Sequence, residues 1–94
     1  MKYFALFYDV VDNYLERRMP HRQSHLKLAK EALERGEIVM AGALGDPPEA
    51  GLLIFRAADI SIAESFARND PYVKAGVVTR WRVKPWNVVI GGAQ

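Results

Sequence analysis

The sequence predicts an α+β fold whose elements run β-α-β-β-α-β and close as one four-stranded antiparallel sheet with two helices on a single face. Three observations carry this reading. An apolar, β-rich run occupies residues 3–8, two separate stretches show helical period, and residues 79–86 alternate apolar with basic side chains.

The opening run, Tyr3-Phe4-Ala5-Leu6-Phe7-Tyr8, ends at Asp9 and places apolar or aromatic side chains on both alternating faces, as in a strand covered on both sides. Residues 12–19 are polar and mixed. Pro20 suits a first helical position, and helical period then runs from His21 to Arg35, with Gly36 as a natural stop. Ile38 to Leu44 and Leu52 to Phe55 flank a turn-rich connection, Gly45 to Gly51, suited to a hairpin. Ser61 with Glu64 makes a capping box for the second helix, whose inner face carries Ile62, Ala63, Phe66 and Ala67. Pro71 limits that helix near Asn69. In the last strand Thr79, Trp81 and Val83 alternate with Arg80, Arg82 and Lys84, and Asn87 to Ile90 either extend it or add a short edge strand.

With 94 residues, no internal repeat and no linker-like tract, residues 1–94 read as a single domain. A chain of this size hides only roughly 60–65% of its unfolded surface, so a monomer is marginal. Both predicted helices cover the same side of the sheet, while the first strand is apolar on both sides. A second copy packed sheet to sheet covers the open face, and a homodimer is therefore expected.

Several functions are excluded early. The absence of cysteine removes disulfide scaffolds, thiolate zinc sites, iron–sulfur clusters and thiol catalysis. Thirteen basic against eleven acidic residues give a net charge of +2, too little to argue for nucleic acid. No apolar stretch approaches the ~20 residues that span a bilayer, and the opening residues read as a strand and not as a signal peptide, so a cytoplasmic protein without membrane contact is expected. Neither GxGxxG nor a P-loop occurs, and no cofactor is expected.

Two positions break the apolar pattern. On a helical wheel His25 lies at the centre of the inward face, with Ala29, Ala32 and Leu28 all within about 60° of it. An imidazole there is either a satisfied core histidine or a tunable acid–base group. Asp70 continues the inner face of the second helix, three and four residues beyond Ala67 and Phe66. At a helix C-terminus a carboxylate opposes the dipole and calls for a partner, although Asp-Pro is also a common turn. A His–Asp pair is a usual way to orient a general base.

Around this pair, Arg22 stands one turn before His25, where it can reach an anionic group or simply form a surface ion pair. Tyr8, Tyr72, Trp81 and Trp86 can wall an apolar pocket for a ring-shaped ligand, or serve as core and dimer contacts. His21 and His25 have the i, i+4 spacing of a metal pair, but a third ligand would have to come from Asp70 or Asp9, and no metal is expected.

With those residues in view, the chain resembles the YCII (YciI-like) family from Tyr3 through Trp86. The opening Tyr3-Phe4-Ala5-Leu6 resembles the family start, and Arg22-Gln23-Ser24-His25-Leu26 matches its Arg-x-x-His-Leu signature. Ala41-Gly42-Ala43-Leu44 resembles its small-residue strand, and Asp70-Pro71-Tyr72-Val73-Lys74-Ala75-Gly76-Val77 matches its most specific string. Arg82-Val83-Lys84-Pro85-Trp86 resembles the closing Pro-Trp exit. The resemblance implies a ferredoxin-like fold of the dimeric α/β-barrel group and a site built on His25 and Asp70. The segment Val11 to Met19 is more charged than the family pattern and reads as a lid or a solvated connection.

The leading expectation is a small-molecule enzyme performing proton abstraction or elimination, lyase-like, on a small and ring-shaped substrate. In it His25 is the base or acid, Asp70 orients it, and Arg22, Tyr72 and Trp81 bind substrate. The alternative is a non-catalytic binding or accessory domain on the same dimeric scaffold. An RNA-binding sheet is a third reading, disfavoured because the strand Leu52-Leu53-Ile54-Phe55 lacks the basic and aromatic stacking motif.

Overall fold

The computed structural model describes residues 1–92. In chain order these form β1 (Lys2–Val10), α1 (Tyr14–Arg17), a 3-10 turn (Met19–His21), α2 (Arg22–Glu34), β2 (Ile38–Leu44), β3 (Ala50–Ala57), α3 (Ser61–Asn69), α4 (Pro71–Lys74) and β4 (Val78–Trp86). The strands make one antiparallel sheet in the order β2-β3-β1-β4, with α2 and α3 on one face, so the expected ferredoxin-like α+β fold is the one observed. The short α1, the 3-10 turn and α4 are additions to the sequence reading.

Alternation along β1 separates the two faces. Phe4, Leu6 and Tyr8 face the helices, paired with Phe55, Leu53 and Gly51 of β3. Fully buried Ala32 of α2, and Ala63 and Ala67 of α3, let both helices lie close to this face. Phe66 meets Phe55 edge to face, with ring centroids 5.3 Å apart. Gly51 has a specific role here, because a Cβ at that position would stand 3.1 Å from the Cβ of Tyr8. Its absence leaves room for the Tyr8 ring beside the strand.

Helix ends follow from local chemistry. Gly36, at φ 77°, ends α2: its N–H donates to Leu33 O at 2.9 Å, and the Glu37 N–H donates to Ala32 O at 2.9 Å. At the start of α3 the expected Ser61–Glu64 box is not formed. Ile60 occupies the cap position, and Asp59 Oδ1 accepts from the Ser61 N–H at 2.8 Å and also from the Ser61 hydroxyl. Ser61 is already helical, so the capping oxygen has to come from two residues upstream.

The other sheet face carries Tyr3, Ala5 and Phe7 of β1, Leu52 and Ile54 of β3, and Met40 and Leu44 of β2. Arg80, Arg82 and Lys84 share this face along β4. Met40, Leu44 and Trp86 are exposed there. The expected extension of β4 does not occur: residues 87–92 run as coil and bends. No described helix is long and apolar enough to cross a membrane.

Candidate active site

The site is assembled where α2 passes over the junction between α3 and α4. Pro71 ends α3, and Asp70 adopts an extended backbone with φ −70° and ψ 123°. It then caps the start of α4, Oδ1 accepting the Tyr72 N–H at 2.9 Å. This corrects the electrostatics expected from the sequence. Asp70 does not oppose the end of a helix; its negative charge sits at the beginning of the next one, where it is favourable.

Asp70 is 0% exposed, the only charged side chain among the buried described residues. Three donors satisfy it. Besides the Tyr72 N–H, the Tyr8 hydroxyl donates to Oδ2 at 2.6 Å, and His25 Nδ1 lies 2.9 Å from Oδ1 and 3.0 Å from Oδ2. A carboxylate has only acceptor sites, so Nδ1 carries the ring hydrogen and donates it. The other ring nitrogen, Nε2, takes no part in these bonds. His25 is stacked on Tyr72, ring centroids 3.8 Å apart and planes 6° off parallel, with 13% of its side chain exposed. The imidazole is thereby held by one bond at its edge and one ring against its face.

Arg22 Nη1 donates to the Tyr72 hydroxyl at 3.1 Å, which leaves that hydroxyl its own hydrogen to donate. Burial raises the Tyr72 phenol above its usual range, opposed by the hydrogen bond and charge of Arg22. Tyr8 is raised more strongly, first by burial, then by the Asp70 charge and the hydrogen bond to it. Tyr8 therefore stays a donor. The sign of the linkage gives a prediction. The unfolded chain loses the Tyr8 proton near its ordinary value of 10.0 and the folded chain keeps it. The full contribution is present below that value, and stability should fall above about pH 10 by up to ~1.4 kcal/mol per pH unit. Urea unfolding from pH 8 to 11 should show this slope, and Tyr8→Phe should flatten it. An equal slope in both proteins would remove Tyr8 from the account.

A cavity of about 430 Å³ opens in front of the pair, between α2 and the β2–β3 hairpin. His25, Arg22, Tyr72 and Tyr8 line it, with Tyr14 and Arg18 at one end and Leu26, Ala29, Ile38 and Leu53 along its length. The structure thus brings together four of the five residues expected from the sequence. Trp81 is the exception. It pairs with Tyr8 across β1 and β4, half-buried, and its ring lies 5.7 Å beneath the Arg68 guanidinium, off the cavity lining. Nor is the His21–His25 metal arrangement assembled: among the described residues no three His, Asp or Glu side chains converge.

Two lining residues were outside the sequence expectation. Tyr14 and Arg18 belong to the segment read as lid or connection, which folds back through α1 after Asn13 adopts φ 61°. The Arg18 guanidinium sits 4.9 Å over the Tyr14 ring, which meets Tyr72 edge-on at 6.1 Å. An asparagine, tolerant of that backbone, followed at once by an aromatic residue was the available signal.

The sequence profile of the YCII-related domain matches residues 1–87. The chain belongs to the YCII family. This YCII-family protein is 33% identical over 96 residues to an uncharacterized protein of Haemophilus influenzae, covering 93% of this chain and 98% of that one. It is 32% identical over 98 residues to Protein YciI of Escherichia coli, covering 95% and 99% of the two chains. In fold it is similar to 5-chloro-2-hydroxyhydroquinone dehydrochlorinase (TftG) from Burkholderia phenoliruptrix, solved in complex with 2,5-dihydroxybenzoquinone. The TM-score is 0.74 at 22% identity, over 90% of this chain and 93% of that one.

Proposed function

We propose that this YCII-family protein is a small-molecule enzyme that removes a proton from an activated carbon, with His25 Nε2 as the base and Asp70 as the group that orients and neutralises the resulting imidazolium. The observation that carries the reading is the three-donor shell on Asp70, which engages Nδ1 with the carboxylate and leaves Nε2 as the ring nitrogen available to exchange a proton with a ligand in the cavity. Where a leaving group stands on the adjacent carbon, the C–H electron pair forms the new π bond and the group departs with its bonding electrons. Arg22 and Tyr72 supply donors for an oxygen of the substrate. A ring-shaped substrate is supported by the fold shared with a dehydrochlorinase bound to a quinone. Trp81 is assigned no substrate contact in this reading, since its ring lies under Arg68 and off the cavity lining.

The test is deuterium incorporation from D2O into cyclic 1,3-diketones and hydroxyquinones, followed by proton NMR. Incorporation faster than in buffer is the expected result. The buffer rate across both compound classes would overturn the assignment.

The reading includes a homodimer formed through the open sheet face, as expected of a cytoplasmic protein this small. Phe7 and Leu52 pair there beside the adjoining row of Ala5, Ile54 and Met40, giving an apolar band over three neighbouring strands. Leu52→Asp puts a charge in the middle of that band without touching the helix-facing core. It should convert a dimer to a monomer in light scattering coupled to gel filtration. A wild type that runs as a monomer at tens of micromolar would dispose of the dimer.

A further inference from the structure

The cavity is electrostatically one-sided. Among the described residues three cations line it, Arg18, Arg22 and Lys30, and no carboxylate does, since Asp70 lies behind His25 and Tyr72. Arg22 has one N–H on the Tyr72 hydroxyl. Arg18 is less satisfied: its Nε is buried with no hydrogen-bond partner among the described residues, although a buried guanidinium N–H ordinarily has one. Both arginines bear on the same group, because the charge of each acts on the Tyr72 hydroxyl. From that end the cavity runs along Leu26, Ala29, Ile38 and Leu53, all apolar.

We propose that Arg18 and Arg22 together form an oxyanion-binding site, and that the ligand of this cavity is an organic anion with an apolar body, a carboxylate or enolate rather than a neutral or cationic molecule. The planar guanidinium fork suits a delocalised oxyanion with two oxygens in one plane. An oxyanion at this end lies between the two guanidinium charges, with the buried Arg18 Nε–H behind them. The apolar body then lies along α2 past His25, so the atoms next to the anionic group are those presented to Nε2. The inference rests on the acid–base reading only for that last point; anion binding stands by itself.

The experiment uses matched probes and the intact protein. Dissociation constants for 4-phenylbutyrate, 4-phenyl-1-butanol and 4-phenylbutylamine are taken from amide chemical-shift titrations. The acid should bind about ten-fold or more tightly than the alcohol, and the amine more weakly than either. Arg18→Gln should bring the acid to within about two-fold of the alcohol and leave the alcohol unchanged, and Arg18→Lys should restore part of the preference. Equal binding of acid and alcohol to the wild type, which needs no variant to fold, overturns the proposal. A preference that survives Arg18→Gln removes Arg18 from it. Failure of the two readings is separable: an anion preference without deuterium exchange on any compound keeps the binding site and discards the base, leaving a non-catalytic binding domain.

Discussion

Replacing His25 by asparagine should lower the rate of deuterium exchange by about 10²–10⁴-fold, the usual weight of a positioned acid–base group. Asparagine is the informative substitution because its amide nitrogen stands close to where Nδ1 was. The bond to Asp70 is kept while the only basic ring atom facing the cavity is lost. The Tyr8 and Tyr72 bonds to Asp70 also remain, so the fold should hold, as circular dichroism would show. The affinity for 4-phenylbutyrate should change little, since that is assigned to the arginines. His25→Ala should be as inactive and less stable, leaving the Asp70 charge with one donor fewer. A fully active His25→Asn protein would end the role of His25 as base.

The second large effect is on stability. Asp70→Ala removes the cap of α4, strands the buried Tyr8 hydroxyl and Tyr72 N–H, and takes from the His25 Nδ1–H its acceptor. Loss of a cap costs about 0.5–2 kcal/mol, and each stranded donor about 1–3 kcal/mol before relaxation. A net loss of about 3–5 kcal/mol is expected, large against a typical total of roughly 5–15 kcal/mol. For a domain of this size that lowers the melting temperature on the order of 15–25 °C. Asp70→Asn, which keeps the shape and the capping oxygen, should lose distinctly less. Should Asp70→Ala melt within a few degrees of wild type, the carboxylate shell is not the structural centre described above.

Both of these residues were visible in the sequence, for unequal reasons. His25 is legible because helical geometry is regular: a polar residue among Leu28, Ala29 and Ala32 has one direction to point, and it points there. Asp70 was found on a helical wheel that does not apply to it, since α3 stops at Asn69 and Asp70 belongs to the next turn. The pairing emerged because a residue just past a helix end still lies near that helix's inner side. Tyr8 was legible as a pocket wall and not as a donor to Asp70, a contact spanning 62 positions that only the sheet register creates. Arg18 was hidden because α1 is too short for periodicity to declare it. Trp81 shows the reverse failure: alternation put it on the apolar side of its strand, which proves to face the helices, but that side is wider than the cavity and Trp81 sits under Arg68.

The capping role of Asp70 has an evolutionary consequence. The same carboxylate that orients the imidazole also starts α4 and satisfies a buried phenol. A lineage that ceased to need the reaction would still be penalised for every substitution there, because its members would fold less well. Drift would erase Arg18 or Arg22 sooner, since their described contacts are with one tyrosine each, the Tyr14 ring and the Tyr72 hydroxyl, against three bonds on Asp70. Among relatives, persistence of the aspartate therefore records selection for foldability as much as for turnover. Persistence of the two arginines is the better sign that a descendant still handles its ligand.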